Sequence, residues 1–129
     1  MIFDGAKSSK RAKKKEIGAK QDKGKREWWL FAPLWKPLEQ VVLVLEHGRD
    51  KYDAHNWQHV KDPNGSPARL RYTDALQRHL IDHWEGVKTD EDSGLPVLAH
   101  LVCDALFVLW FDLKAQSEAS SPARKGAKR

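Results

Sequence analysis

Glu46 and Asp50 lie four residues apart in the segment LEQVVLVLEHGRD. At about 100° per residue, Glu39, Leu43, Glu46 and Asp50 share a narrow arc of a helix. Two carboxylates stacked in this way can meet one divalent cation, and oxygen ligands suit Mg²⁺ or Mn²⁺. The same spacing also makes an ordinary solvated acidic face. His79 and His83 are likewise four apart, with Arg78 and Glu85 beside them. Such a pair can hold a metal, but Leu80, Ile81 and Asp82 intervene, so the HExxH pattern is absent and polar packing is the plain alternative. His100 and Asp104 say more, because they sit in a run that is otherwise Val, Leu, Ala, Phe and Trp. Burying an imidazole and a carboxylate there is costly unless they are partnered. They can pair with each other or with Arg78, or they can face a metal together with the carboxylates of the earlier segment.

The segment KYDAHNWQH adds a cation, two aromatic rings and an amide. Lys51 can neutralise a phosphate, while Tyr52, Asn56 and Trp57 can stack on a base and hydrogen-bond to it. The two rings can equally serve to anchor the loop on a core. No GxGxxG or GxxxxGK[ST] loop is present to cradle phosphates, and the single cysteine, Cys103, lies in the apolar run. For an enzyme, this inventory permits metal-assisted attack by water.

These residues must be positioned by helices. Pro37 suits the first turn of one that runs to about Asp50, with Val41, Val42, Val44 and Leu45 as its buried surface. Residues 51–71 contain Asp-Pro, Asn-Gly and Ser-Pro and read mainly as loop. A second helix begins near Thr73 as N-cap and stops at Gly86. A polar link, VKTDEDSG, leads to a third helix, PVLAHLVCDALFVLWFDL, which is apolar on most sides and therefore central. No segment alternates with period two, so the expected fold is all-α, a small bundle of three to four helices.

Charge divides the 129 residues into three parts. Residues 1–27 carry ten Lys or Arg against four acids, residues 28–113 eight against thirteen, and residues 114–129 five against one. All six Trp fall in the middle part. The expected organisation is a folded acidic domain at 28–113 between two basic, disordered tails, 1–27 and 114–129. The tails can touch nucleic acid through phosphate attraction or simply solubilise the chain, and no aromatic residue interleaves their cations. One cysteine excludes an intramolecular disulfide, a thiolate zinc cluster and a CxxC pair. With no apolar stretch behind the N-terminal charges, the reading is compatible with a cytoplasmic protein and no membrane span.

In order, the pieces GRDKY, NW, YTDALQRHL, WEG, DEDSGLPVLAH and CDALF resemble the phage-type dATP/dGTP diphosphohydrolase N-terminal domain, over about residues 33–110. That resemblance implies a relation to the MazG-like all-α nucleoside triphosphate pyrophosphatases. Those are helical oligomers that bind Mg²⁺ through acids on facing helices and release a monophosphate and pyrophosphate. It implies Asp104 as the carboxylate of the later helix and Glu46 and Asp50 as those of the first, with His100 completing the metal group. The usual EExxE is absent, and His100 and Leu101 occupy Glu positions of the family pattern. Lys51, Arg78 and His79 are the implied catalytic groups, the two cations neutralising the departing pyrophosphate, and Tyr52, Asn56 and Trp57 hold the base. The implied function is Mg²⁺- or Mn²⁺-dependent hydrolysis of purine (deoxy)nucleoside triphosphates by a homo-oligomer, adjusting a phage nucleotide pool in the host cytoplasm. The alternative is a non-catalytic helical protein that binds nucleic acid through its basic tails.

Overall fold

Helices form where the apolar runs lie. The computed structural model, which describes residues 17–61 and 65–120, places them at Trp35–Lys51 (α1), Ala68–Trp84 (α2) and Val97–Ala119 (α3). Short 3-10 turns cover Trp28–Leu34 and Asn56–His59. Among the described residues there is no β-strand, only an isolated bridge between Thr89 and Pro96. The fold is the small all-α bundle that the sequence patterning calls for.

The chain divides into two compact units, Met1–Leu30 and Phe31–Arg129. In the first, the described residues 17–30 are exposed. The Lys25 N–H donates to the Asp22 carbonyl at 3.0 Å, and the Trp29 indole donates to Glu27 at 3.2 Å. Expectations for residues 1–16 and 121–129 lie outside the described residues. Residues 114–119 are the last turns of α3, where good helix formers and a Lys114–Glu118 pair at 4.0 Å carry the helix past Leu113.

In the second unit α3 is central, packing against both α1 and α2. The core is small: Val41 and Val44 from α1 meet Ala99 and Cys103 from α3, with Leu95 and Phe107 against them. Val42 and Leu45 remain exposed, so only one edge of the α1 apolar run is buried.

Helix α2 starts five residues before Thr73, directly after Pro67, whose extended ψ of 148° sets the entry. The Thr73 hydroxyl donates instead to the Arg69 carbonyl at 2.8 Å, an interior back-bond and not a cap. The other end matches expectation. Gly86 has φ +86°, its N–H donates to the His83 carbonyl at 3.1 Å, and the Val87 N–H donates to Asp82 at 2.9 Å. This is a Schellman stop, whose αL residue disfavours any Cβ. Gly86→Ala is expected to destabilise the domain by about 1 kcal/mol or more, read as a lowered melting temperature.

The link before α3 is an ordered clasp. The Asp90 carboxylate accepts from the Ser93 N–H at 2.9 Å, the Asp90 carbonyl from Gly94 at 2.7 Å, and Val97 N–H donates to Lys88 at 2.9 Å. Among the described residues no helix is long and apolar enough to cross a membrane.

Candidate functional site

A cavity of about 1050 Å³ opens between α1, the loop after it, α2 and α3. Its aromatic wall is built by Trp57, which lies stacked on Phe107 with centroids 4.3 Å apart and planes 13° apart. Trp57 also meets Trp110 edge-on at 5.0 Å, and Tyr72 meets Phe107 at 5.0 Å. Trp57 therefore anchors the loop on α3 and lines the cavity at once; the two readings of this residue do not exclude each other. Tyr52 and Asn56 line the same space, Tyr52 at 62% exposure.

The charges around this cavity are unbalanced. Arg49, Lys61, Arg71 and Arg78 face it against Glu46 and Asp53. An acidic domain thus presents a cavity with an excess of cations, which favours an anionic ligand. Arg49 is partly engaged by Asp50 at 3.0 Å.

A second, half-buried cluster lies between α2, the link and the first half of α3, with Asp104 as its buried member. The His79 Nε2 stands 3.6 Å from an Asp104 oxygen, and the His100 Nε2 stands 3.7 Å from Asp90 and 2.7 Å from the Ser93 hydroxyl. The two imidazoles are 5.2 Å apart. Two buried atoms here, His79 Nδ1 and Asp104 Oδ2, have no hydrogen-bond partner. Burial pushes the Asp104 carboxyl up to about 7, against the pull of the Arg78 guanidinium. Burial also lowers both His79 and His100, although Asp90 works the other way on each. Burial thus disfavours the charged form of both Asp104 and His79, so the 3.6 Å contact is not a full ion pair. Burial opposes ionisation of Asp90 as well, but the Ser93 backbone N–H and the His100 ring together keep it below the ordinary carboxylate range. The Cys103 thiol is pushed up to about 12 by burial, which leaves it inert as a nucleophile.

The residues singled out from the sequence thus separate into three places. Glu46, Tyr52, Asn56, Trp57 and Arg78 line the cavity. His79, His100 and Asp104 belong to the half-buried cluster, which Arg78 touches electrostatically. Lys51 and Asp50 go elsewhere. The Lys51 ammonium donates to Asp92 at 2.7 Å, beside His47 at 3.0 Å from the same oxygen, so its charge is turned to the link before α3. Asp50 is exposed against Arg49. Among the described residues no three His, Cys, Asp or Glu side chains come together in a way that could hold a metal ion. One chain does not gather Glu46, Asp50, His100 and Asp104 into one ligand set.

The family model described as dATP/dGTP diphosphohydrolase, N-terminal, matches residues 15–121. The chain belongs to that family. This dATP/dGTP diphosphohydrolase N-terminal domain is matched beyond residues 33–110, into both basic segments. It is 32% identical over 93 residues to a dATP/dGTP diphosphohydrolase of Salmonella phage PMBT28, a stretch that covers 72% of this chain and 29% of that protein. The chain therefore spans less than a third of the length of that relative. No solved structure matches it.

Within this family domain, sequence reasoning missed Lys61, Arg71, Tyr72 and Phe107, all of which line the cavity. For Arg71 a signal existed: Arg71, Ala75 and Arg78 recur at helical spacing and share one face once the helix is known to start at Ala68. Placing Arg71 in the loop hid it.

Proposed function

We propose that this domain hydrolyses purine (deoxy)nucleoside triphosphates to the monophosphate and pyrophosphate, adjusting a phage nucleotide pool in the cytoplasm of the infected cell. The observation that carries the proposal is the cavity, which joins an aromatic wall to an excess of cations in a chain of this family. Its volume is on the scale of a site for a ligand of nucleotide size. Tyr52 and Trp57 offer ring surface to a base and Asn56 an amide to its edge. Arg78 offsets the charge that grows on the departing pyrophosphate. Behind it, Asp104, whose carboxyl burial raises to about 7, is suited to act as general base for the attacking water.

Among the described residues the donors of a single chain do not fit a resident metal ion. Mg²⁺ or Mn²⁺ enters the proposal as the counter-ion that accompanies the triphosphate. The proposal also includes a homo-oligomer. Leu98, Val102, Leu106, Leu109 and Leu113 are 40–54% exposed, and they lie within about 80° of one another around α3. A face of that kind, on a domain with so small a core, is suited to covering by a second copy. The nucleic-acid alternative rests on tails that fall largely outside the described residues.

The test is incubation of the purified protein with dATP, dGTP and dUTP under Mg²⁺ or Mn²⁺, with the products resolved by chromatography. Monophosphate and pyrophosphate are expected from the purine substrates, with turnover about tenfold or more lower for Arg78→Gln. Intact triphosphates under every metal would overturn the proposal.

A further inference from the structure

Arg71 and Arg78 are seven residues apart on α2 and both face the cavity, with Ala75 between them on the same face. Seven residues of helix rise about 10 Å, so the two guanidinium groups start two turns apart; of the two residues midway between them, Ala75 lines the cavity and Asp74 is exposed outside it. The Arg71 Nη1 donates to the Lys61 carbonyl at 2.6 Å, which holds the Lys61 segment beside the same helix. That bond uses one of the five N–H donors of Arg71, and the rest are left for a ligand. Arg78 lines the cavity and acts on Asp104 only through its charge, leaving its guanidinium exposed to a ligand. Asp112, the carboxylate that could have quenched a nearby cation of α2, is taken by Arg69 at 2.6 Å.

Two forked cations separated along one helix face, with a small residue between, match an extended anion with charge at both ends. A single phosphate can satisfy one fork at a time, whereas a chain of phosphates can lie over Ala75 and reach both. We infer that Arg71 and Arg78 form a polyphosphate rail and that Ala75 is the gap that admits it, so that this face of α2 selects nucleoside triphosphates over monophosphates. The inference deepens the reading of the cavity as a nucleotide site and rests on it for the nucleoside part alone. The rail requires only the phosphates.

Calorimetric titration of the full chain in EDTA, with dGTP, dGMP and inorganic tripolyphosphate as probes, tests it. Wild type is expected to bind dGTP and tripolyphosphate at least about tenfold more tightly than dGMP. Arg71→Gln is expected to weaken dGTP and tripolyphosphate about tenfold while leaving dGMP within about twofold, since a monophosphate needs only Arg78. Ala75→Leu, which keeps helix propensity and net charge, is expected to weaken both polyphosphates by a similar factor. Wild-type affinities in both variants overturn the rail, as does equal binding of dGTP and dGMP by wild type. If Ala75→Leu fails to fold, Arg71→Gln alone still decides. Tripolyphosphate binding that depends on Arg71, in a protein that leaves every triphosphate intact, would keep the rail and end the hydrolase reading. Purine triphosphate hydrolysis unaffected by Arg71→Gln, with unchanged affinities, would do the reverse.

Discussion

Asp104→Asn is expected to leave stability unchanged near pH 4 and to make the domain progressively more stable than wild type as pH rises to about 7, with the full difference kept above it. Asp104 is buried, its Oδ2 atom lacks a hydrogen-bond partner, and its carboxyl is raised from 3.8 to about 7. A raised folded-state value means that the folded chain holds this proton over a range in which the unfolded chain has already released it. Stability tied to Asp104 is therefore fully present below about pH 4, falls as pH climbs, and levels off above about pH 7. The full interval corresponds to about 4 kcal/mol, a large share of the stability of a small domain. Asparagine does not ionise and escapes this loss.

The neighbouring imidazoles bend each curve in the other direction. His79 and His100 have lowered folded-state values, so the stability they carry rises as pH climbs toward 6.5. Both are present in wild type and variant; His100, whose shift does not involve Asp104, cancels in the difference, and the larger Asp104 shift sets its sign. Urea unfolding of the two proteins between pH 4 and 8 checks the result; parallel curves across that range would sink it. The same variant is expected to lose nucleotide turnover. A carboxylate kept at the expense of stability, whose removal stabilises the fold and silences the chemistry, is the signature of a functional group and not a structural one.

The helices were legible from the sequence because their signals are local. Pro37 in a first turn, Gly86 past a last one and the unbroken apolar run of α3 each act within a few residues, and each is found in its expected role. Where two local signals competed, the reading slipped. Thr73 has the type of an N-cap, but Pro67 and Ala68 start the helix earlier, and the hydroxyl of Thr73 turns inward along it. That slip hid the Arg71–Arg78 face.

The site was legible by residue type and much less by arrangement. Glu46, Tyr52, Asn56, Trp57 and Arg78 meet at one cavity although they span three elements, because the loop after α1 folds back onto α3 through Trp57 and Phe107. Nothing in the spacing of Lys51 told that Asp92, more than forty residues later, would claim its charge. Long-range pairing of that kind is set by how the link before α3 folds around Asp90 and Ser93. Helical spacing likewise put Glu46 and Asp50 on one arc, yet it could not say that one would face the cavity and the other Arg49.

Leu109→Glu is expected to convert the protein from a self-associated form to a monomer at micromolar concentration. Among the described residues the buried core cluster is Val41, Val44, Ala99 and Cys103, with Ala68 and Val97 also buried, while α3 exposes Leu98, Val102, Leu106, Leu109 and Leu113 along one face. Position 109 lies in the middle half of that stripe and is 51% exposed, so a glutamate there costs the isolated chain little. In an interface the same carboxylate is desolvated against leucines, which is expected to weaken association about a hundredfold or more. Light scattering behind size exclusion reads the mass directly. The melting temperature supplies a second readout, because association with a like chain makes it rise with protein concentration for wild type and not for the variant. A wild-type protein that is monomeric and melts at the same temperature over a hundredfold range of concentration would remove the oligomer from the proposal. Leu106 belongs both to this stripe and to the cavity wall, whereas Leu109 does not line the cavity. Loss of nucleotide affinity in Leu109→Glu would therefore report the missing partner, not a damaged pocket, and would mark the cavity as one that a second copy completes.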